Sequence, residues 1–345
     1  DCVGHRRGGI AIVAVIVACF FGAISGSGPA TVAALGIILI PAMINRGGFS
    51  APFASSLMAS ASSIAIVIPP SIAFVVYASI TGVSVGDMFM GGWIPGIMMG
   101  LSLVIIIMIE CRKKGIQASK AKSSWGQRWK SFREAFWGFL MPVIIIGGIL
   151  SGVFTPTEAA AIAAVYATVL TVFVYKEVDF KTLKSVLWET LRDSGTIMMI
   201  CFCASLYGYM ITRSKIAEHL ASAIAQVSTN PYVITLLLVA FLLVVGCFME
   251  NLASITILAP VFLPVLVNSG IDPLAFGIIM IITLMVGLLT PPFGMVLFVL
   301  CKVGDIPLER MVKAVLPFLP PLLIVILLLS FFPQIITFLP NLLMG

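Results

Sequence analysis

Long apolar stretches alternate with short polar or basic segments along almost the whole chain, and two stretches of the first half are broken. Ser25-Gly26-Ser27-Gly28-Pro29 interrupts a 36-residue run from Ile10 to Asn45. The next stretch, 51–80, is broken by Ile68-Pro69-Pro70-Ser71. Because such runs lack strand-like alternation, they predict helices. Each break therefore predicts that one helix ends and another begins inside an apolar segment.

The second half repeats this arrangement. Glu250-Asn251 interrupts an apolar run from Tyr232 to Asn268. The stretch that follows is broken by Thr290-Pro291-Pro292-Phe293-Gly294. Each half therefore contains an interrupted run followed by a proline-broken stretch.

The spacing of the breaks also matches between the halves. Ser27 lies 42 residues before Pro69, and Asn251 lies 40 residues before Pro291. Paired broken segments in corresponding positions are typical of the binding site of a secondary transporter. Non-helical backbone at membrane depth is tolerated only within protein or beside an aqueous cavity. A simple kink is the usual meaning of one proline in a span, and the matched pair favours a site instead.

The length of the interrupted runs favours re-entrant hairpins. A single helix of 36 residues would be about 54 Å long, against a hydrocarbon core of about 30 Å. The break lies near the middle of the first run, so each arm would span about 23 Å and bring the tip near the midplane. Two short tilted spans are the alternative, and they give the same membrane sidedness.

Composition assigns the chain to the membrane. Hydrophobic residues make up 60% of it, charged residues 10%, and the mean hydropathy is +1.16. No soluble fold of 345 residues hides so much apolar surface. We therefore predict an all-α polytopic membrane protein. Its seven cysteines lack paired spacing and it has only two histidines, so a zinc or haem site is not expected.

The basic residues set the orientation. Eight lysines and arginines lie between Arg112 and Arg133, which the positive-inside rule places in the cytoplasm. Counting from there, the first hairpin opens inward and the second outward, as in inverted repeats. The other predicted crossings of the second half are 136–153, 158–175, 194–212 and 314–339. Trp125, Trp129 and Trp137 interleave with basic residues, which predicts an amphipathic helix on the membrane surface.

The predicted organisation has three parts. Residues 1–110 form the remainder of a first repeat, 111–135 form a cytoplasmic amphipathic linker, and 136–345 form the second repeat. The first part holds a hairpin at 10–45, a broken helix at 51–80 and a helix at 90–110. The second repeat holds a hairpin at 232–268 and a broken helix at 273–300.

Two acidic residues differ in what they predict. Glu250 lies deep in an apolar run, where an ionisable side chain is costly and by default functional. A structural carboxylate that orients the hairpin tip is an equally good interpretation. Glu158 follows Thr155-Pro156-Thr157 at the outer surface, where the pattern favours helix capping.

These residues resemble a known family, the large membrane subunit of tripartite ATP-independent periplasmic (TRAP) transporters. The resemblance extends over nearly the whole chain. It is carried by Gly22-Ala23-Ile24-Ser25-Gly26-Ser27, Ile38-Leu39-Ile40-Pro41-Ala42-Met43, Ile68-Pro69-Pro70-Ser71, Gly152-Val153-Phe154-Thr155-Pro156-Thr157-Glu158-Ala159, Met249-Glu250 and Gly287-Leu288-Leu289-Thr290-Pro291-Pro292.

The resemblance implies two sodium sites. The first would use Ser25 and Ser27 with carbonyls near Ala65, Ile68 and Pro70; Ala65 stands where glycine is common in the family. The second, pseudo-symmetric site would use Asn251, Gly287, Thr290 and Pro292. The substrate carboxylate would lie between the tips, and the residues implied there are Ser25, Gly26, Ser27, Ser71, Asn251 and Pro291.

The resemblance also implies what the protein does and with what. It implies sodium-coupled uptake of an organic acid, such as sialic acid or a dicarboxylate, by an elevator mechanism in an inverted-repeat fold with two re-entrant hairpins and two broken helices. Two or more Na⁺ ions, a small membrane (Q) subunit and a periplasmic substrate-binding (P) protein would take part. The location implied is the bacterial inner membrane, and no enzymatic activity is expected.

Two further expectations follow. The second half has about 90 more residues before its hairpin tip than the first half, so the repeat predicts that three helices of a longer chain precede Asp1. Among other functions, a stand-alone sodium-coupled carboxylate or anion symporter is the main alternative. A channel or scaffold is more distant, because the polar residues concentrate at two tips and two breaks.

Overall fold

The computed structural model describes residues 8–26, 28–113, 125–176, 178–214, 228, 230–291, 294–304 and 306–343. Within them all regular secondary structure is helical. Six segments are long and apolar enough to cross a membrane, or seven if the bent helix 125–150 counts as one span. The prediction of an all-α polytopic membrane protein is therefore confirmed.

Five helices lie before the gap at 114–124. They are α1 (Gly9–Ser25), α2 (Gly28–Gly47), α3 (Ala51–Ile64), α4 (Ile72–Thr81) and α5 (Val85–Lys113). Helix α1 ends at Gly26, which has a φ of 62° and donates its N–H to the Gly22 carbonyl at 2.7 Å. Glycine adopts this left-handed conformation without strain. The break predicted in the first run is therefore a sharp helix end.

The second half contains ten further α-helices in the described ranges. They are α6 (Trp125–Leu150), α7 (Pro156–Val169), α8 (Phe180–Arg213), α9 (Pro231–Phe248), α10 (Asn251–Asn268), α11 (Pro273–Gly287), α12 (Met295–Gly304), α13 (Leu308–Val315), α14 (Leu319–Phe331) and α15 (Gln334–Leu343). A π-helical turn, Leu170–Val174, continues α7. The breaks predicted near 250 and 290 are confirmed, because α9 ends at Phe248 and α11 at Gly287.

The helices around the breaks pack in a reciprocal pattern. In each half the first arm of the interrupted run packs on the helix before the proline break, α1 on α3 and α9 on α11. The second arms cross between the halves, since α2 packs on α12 and α10 packs on α4. The halves differ in one respect. Helices α1 and α2 pack along each other, whereas α9 and α10 touch only slightly.

The two helices that precede the proline breaks form the centre of the molecule. Every residue from Phe53 to Ile64 and from Ala275 to Gly287 is buried. Helix α3 is rich in serine, and its serine hydroxyls at 56, 60, 62 and 63 each donate to a carbonyl three or four residues earlier. This bonding satisfies polar side chains in an apolar interior.

Two predicted segments differ in the structure. The crossing predicted at 314–339 is wrong in its second part. The span Leu308–Phe331 ends at Phe331, and α15 begins only after a turn at Phe332-Pro333. Proline lacks the N–H that would continue the helix. Helix α6 joins the predicted surface segment to a crossing, with a bend of 55° between 125–133 and 135–150. Part of the predicted linker, 114–124, lies outside the described residues.

A buried tyrosine connects the two halves of the chain through contacts between α4 and α11. Tyr77 of α4 is 1% exposed, and its hydroxyl donates to the carbonyl of Pro273 at 2.8 Å. Its ring lies directly against Gly277 of α11, where a Cβ would collide with it. Glycine at 277 therefore makes room for the aromatic ring between α4 and α11.

We expect Gly277→Ala to lower the thermal unfolding midpoint, because the added methyl group forces the Tyr77 ring out of its packed position. Gly195→Ala is the matched control: Gly195 is also helical, and nothing lies within 4 Å of an added methyl. Alanine favours helix over glycine, so the control should keep or raise the midpoint. Equal midpoints for both variants would contradict the packing described here.

Candidate functional site

The first helix end lies directly against the first break. A Cβ at Gly22 of α1 would stand 2.5 Å from the Cβ and 2.8 Å from the carbonyl oxygen of Ala65, the residue that caps α3. Real Cβ atoms do not approach so closely. The sequence therefore needs glycine at 22, because only its bare backbone lets α1 reach the end of α3.

The turn after α1 lies against the far side of the same break. A Cβ at Gly26 would stand 3.2 Å from the amide nitrogen of Ile72 and 3.5 Å from the carbonyl oxygen of Pro70. The Ser71 hydroxyl caps α4 by accepting from the N–H of Phe74 at 3.4 Å. The turn that follows Ser25 therefore meets Pro70 of the break and the start of α4.

The second half contains the same contact with glycine on both sides. A Cβ at Gly246 of α9 would lie 2.7 Å from the Leu284 carbonyl oxygen and 3.0 Å from the Gly287 Cα. A Cβ at Gly287 would lie 2.6 Å from the Gly246 Cα. Gly22 precedes Ser27 by five residues, and Gly246 precedes Asn251 by five. The sequence analysis missed Gly246 as a site residue, although this common spacing could have identified it.

The backbone after each helix end is bonded in a similar way. The Ile64 carbonyl accepts from the N–H of Val67 at 2.9 Å and from that of Ile68 at 3.0 Å. The Val286 carbonyl accepts from the N–H of Leu289 at 3.1 Å and from the Thr290 hydroxyl at 2.8 Å. Both helices therefore close with a tight turn before the prolines.

The side chain of Asn251 is buried, and no described residue forms a hydrogen bond with it. Asn251 begins α10 and is 2% exposed, and within the described ranges neither its Oδ1 nor its Nδ2 has a partner. Leaving a buried amide unpaired is costly, and such groups are rare in native proteins. An amide offers an acceptor to a cation and a donor to an anion. Asn251 is therefore suited to binding a ligand at the second tip.

Glu250 caps the same helix. Its Oε2 accepts from the N–H of Ala253 at 3.0 Å, and its backbone is extended, as at an N-cap. This geometry agrees with the structural interpretation, in which the carboxylate orients the tip. The capping prediction for Glu158 is confirmed, since its Oε2 accepts from the Thr155 N–H at 2.8 Å and the Thr155 Oγ1 accepts from the Glu158 N–H at 3.3 Å.

The structure brings several predicted site residues together. Gly26 lies beside Pro70, and Ala65 lies against the end of the helix that carries Ser25. In the second half Gly287 lies against the end of α9, three residues before Thr290. Ile68 faces Gly96 of α5. Ser27 and Pro292 lie outside the described residues, and the use of any of these residues in ligand binding stays a prediction.

Comparison with known proteins agrees with the resemblance. The family model described as the DctM component of the tripartite ATP-independent periplasmic transporter matches residues 1–335. The large permease DctM of a C4-dicarboxylate TRAP transporter from Pseudomonas aeruginosa is 42% identical over 341 residues, covering 99% of this chain and 79% of the relative.

Two other relatives have different names. The sialic acid TRAP transporter large permease SiaM of Vibrio cholerae is 38% identical, over 99% of this chain and 80% of its own length. The isethionate TRAP transporter permease DctMQ of Oleidesulfovibrio alaskensis is 37% identical, over 97% of this chain and 53% of its own length. These relatives are named as permeases, which confirms the expectation of a transporter rather than an enzyme.

The paired glycine contacts can be tested through ion binding. The predicted sodium sites imply that sodium chloride raises the unfolding midpoint relative to choline chloride, and we expect Gly22→Ala and Gly246→Ala each to reduce this rise by more than half. The added methyl meets backbone atoms, which cannot rotate away. Gly138→Ala, with nothing within 4 Å, should keep the full sodium response. A full response in both site variants would contradict a role of these contacts in ion binding.

The two interpretations of Glu250 predict different stabilities for variants at this position. Because Gln keeps an oxygen for the Ala253 N–H, Glu250→Gln should retain the unfolding midpoint, whereas Glu250→Ala should lose about 0.5–2 kcal/mol of stability, as expected for a lost N-cap. Thermal unfolding in detergent measures both. An equal loss in the two variants would show that the charge, rather than the cap, is required.

Proposed function

Because the chain belongs to the tripartite ATP-independent periplasmic transporter family, as its DctM component or large permease, we propose that it imports an organic acid by sodium-coupled secondary transport. The observation that carries this proposal is the pair of junctions at Gly22 and Gly246. At each of them a helix end meets the end of a broken helix.

The substrate is an organic anion. The relatives described above are named for C4-dicarboxylates, sialic acid and isethionate, which share an acidic group. Four helices, α2, α4, α10 and α12, begin at the tips and breaks. Helix N-termini carry partial positive charge and attract anions. The residues that would bind the acidic group are Ser25, Gly26, Ser27, Ser71, Asn251 and Pro291.

Sodium binds at C-terminal helix ends, where the last carbonyl groups receive no N–H from a following turn. Helices α1, α3, α9 and α11 end at the tips and breaks, where carbonyl and hydroxyl oxygens gather. Such oxygens, in discontinuous helices, coordinate Na⁺ in secondary transporters. The first site would use Ser25, Ser27, Ala65, Ile68 and Pro70, and the second Asn251, Gly287, Thr290 and Pro292. The unpaired Asn251 amide fits this role, since its Oδ1 is a hard oxygen ligand.

Alternating access works through inverted repeats and an elevator movement. Two re-entrant hairpins and two broken helices would slide as one transport domain against the other helices. The reciprocal packing, α2 on α12 and α10 on α4, supports such a unit because it joins the two halves. Helices α9 and α10 have 18 residues each, or about 27 Å, so two short tilted spans in the second half are the competing arrangement.

The permease works with other proteins in the bacterial inner membrane. A periplasmic substrate-binding protein would deliver the organic acid, and a small membrane subunit would pack beside this chain. In the DctMQ relative the matched region is only 53% of the protein, which fits a fused second subunit there. The alternative is a stand-alone sodium-coupled carboxylate or anion symporter that needs no binding protein.

Uptake into liposomes tests the proposal. The complete membrane complex is reconstituted, and labelled C4-dicarboxylate, sialic acid and isethionate are supplied with or without a sodium gradient and the cognate soluble binding protein. We expect uptake of one acid to require both. Sodium-driven uptake without the soluble protein would favour the stand-alone symporter, and flux independent of the gradient would contradict secondary transport.

The same assay tests the second sodium site. We expect Asn251→Ala to raise the sodium concentration for half-maximal uptake about tenfold, which corresponds to one lost ligand worth ~1.4 kcal/mol. Asn230→Ser is the control, because Asn230 also lies at the start of a helix but is exposed, and serine preserves the cap that Asn230 provides. An unchanged sodium dependence in Asn251→Ala would remove Asn251 from the site.

A further inference from the structure

A large cavity in the described part of the chain lies away from the tips. It is a groove of about 1000 Å³ with walls formed by α1, α5 and α6. Apolar side chains line almost all of it, and several of them, such as Ile97, Leu101 and Val143, are more than half exposed. No described residue covers these side chains, so hydrocarbon reaches the groove in this part of the protein.

One end of the groove is charged. Arg112, in the last turn of α5, is the only charged side chain that lines it. Within the described residues Arg112 has no ion pair and is exposed. The positive-inside rule places this end at the cytoplasmic surface. A long apolar groove thus ends at the level of the lipid headgroups in a cation that no described residue neutralises.

The bend of α6 adds positive charge near the same surface. Residues 125–133 turn away from the crossing part of the helix by 55°. The rings of Trp129 and Phe132 stack at 5.8 Å between centroids, and Lys130 and Arg133 of the same segment are exposed. Aromatic and basic side chains on one helix are typical of a segment that lies in the headgroup region.

We propose that the groove binds one anionic phospholipid of the cytoplasmic leaflet. An acyl chain would lie between α1, α5 and α6, and the phosphate would pair with Arg112. Basic pockets between membrane helices on the cytoplasmic side select anionic headgroups for the same reason. A zwitterionic lipid has the same acyl chains but carries no net charge. Its chains would therefore fit the groove, but its headgroup would not neutralise Arg112.

The lipid would also reach the first break. Ile68 lines the groove beside Trp93 and Gly96 of α5, one residue before Pro69. A chain that fills the groove therefore contacts the segment that connects α3 to α4. This contact links the lipid composition of the membrane to the segment that we assign to the first sodium site.

Trp93 provides a direct probe of occupancy. Replacing Trp125, Trp129, Trp137 and Trp188 with Phe leaves Trp93 as the only tryptophan. The variant is placed in phosphatidylcholine vesicles with a minor fraction of phosphatidylglycerol, and bromine is carried by the acyl chains of one lipid or the other. Per bromine, we expect phosphatidylglycerol to quench Trp93 about fivefold more, as one basic residue near anionic lipid predicts.

Matched variants distinguish lipid bound at a specific site from bulk lipid around the protein. Arg112→Gln should abolish the preference, whereas Lys113→Gln, next to it but not in the groove, should keep most of it. Gly147→Leu fills the groove from α6 and should reduce quenching by both lipids. Gly138→Leu is its control, since Gly138 also has nothing within 4 Å and lies outside the groove.

Three results would overturn the proposal: equal quenching by the two lipids, an unchanged preference in Arg112→Gln, or no quenching of Trp93. Should the four phenylalanine substitutions prevent folding, native mass spectrometry of the unsubstituted chain gives the same comparison. It counts phosphatidylglycerol and phosphatidylcholine retained by the wild type and by Arg112→Gln. No transport is measured in either assay, so the outcome does not depend on the proposed function.

Discussion

The structure depends on one constraint, which is that backbone polar groups in hydrocarbon must find partners inside the protein. An unpaired N–H or C=O there costs several kcal/mol. Nevertheless, four segments of this chain stop being helical within apolar sequence. Tight turns at Ile64 and Val286 and caps at Ser71 and Glu250 satisfy part of these groups. The oxygens that remain lie where helix ends meet, which is why we propose ion binding there.

The two junctions have the same geometry and different chemistry. Gly22 meets Ala65 in the first half, and Gly246 meets Gly287 in the second. The first break carries the neutral hydroxyl of Ser71, whereas the second tip carries the Glu250 carboxylate beside the Asn251 amide, which has no partner among the described residues. The two ion sites proposed above would therefore differ in affinity and selectivity although they share one backbone plan. Side chains adjust each site, and the backbone approach stays common to both.

Much of the fold could be predicted from the sequence because its strongest signals are local. Hydrophobic runs, prolines and Ser25-Gly26 located the helix ends, and the capping role of Glu158 followed from Thr155 three residues earlier. The five-residue spacing to the tip could have identified Gly246, but its contact with Gly287 joins residues 41 positions apart, so the sequence does not show the partner. The turn at Pro333 was missed because the flanking residues are as apolar as those of a span.

The reciprocal packing also has a consequence for how the protein is made. Helix α4 is complete at Thr81, but its partner α10 begins at Asn251, 170 residues later. At ordinary synthesis rates this separation corresponds to roughly 10 to 30 s. During that interval the first half stands in the membrane with one face of its broken helix uncovered. Lipid, a chaperone or the insertion machinery must occupy that face until the second half arrives, so the packing of the two halves around the breaks is a late event in biogenesis.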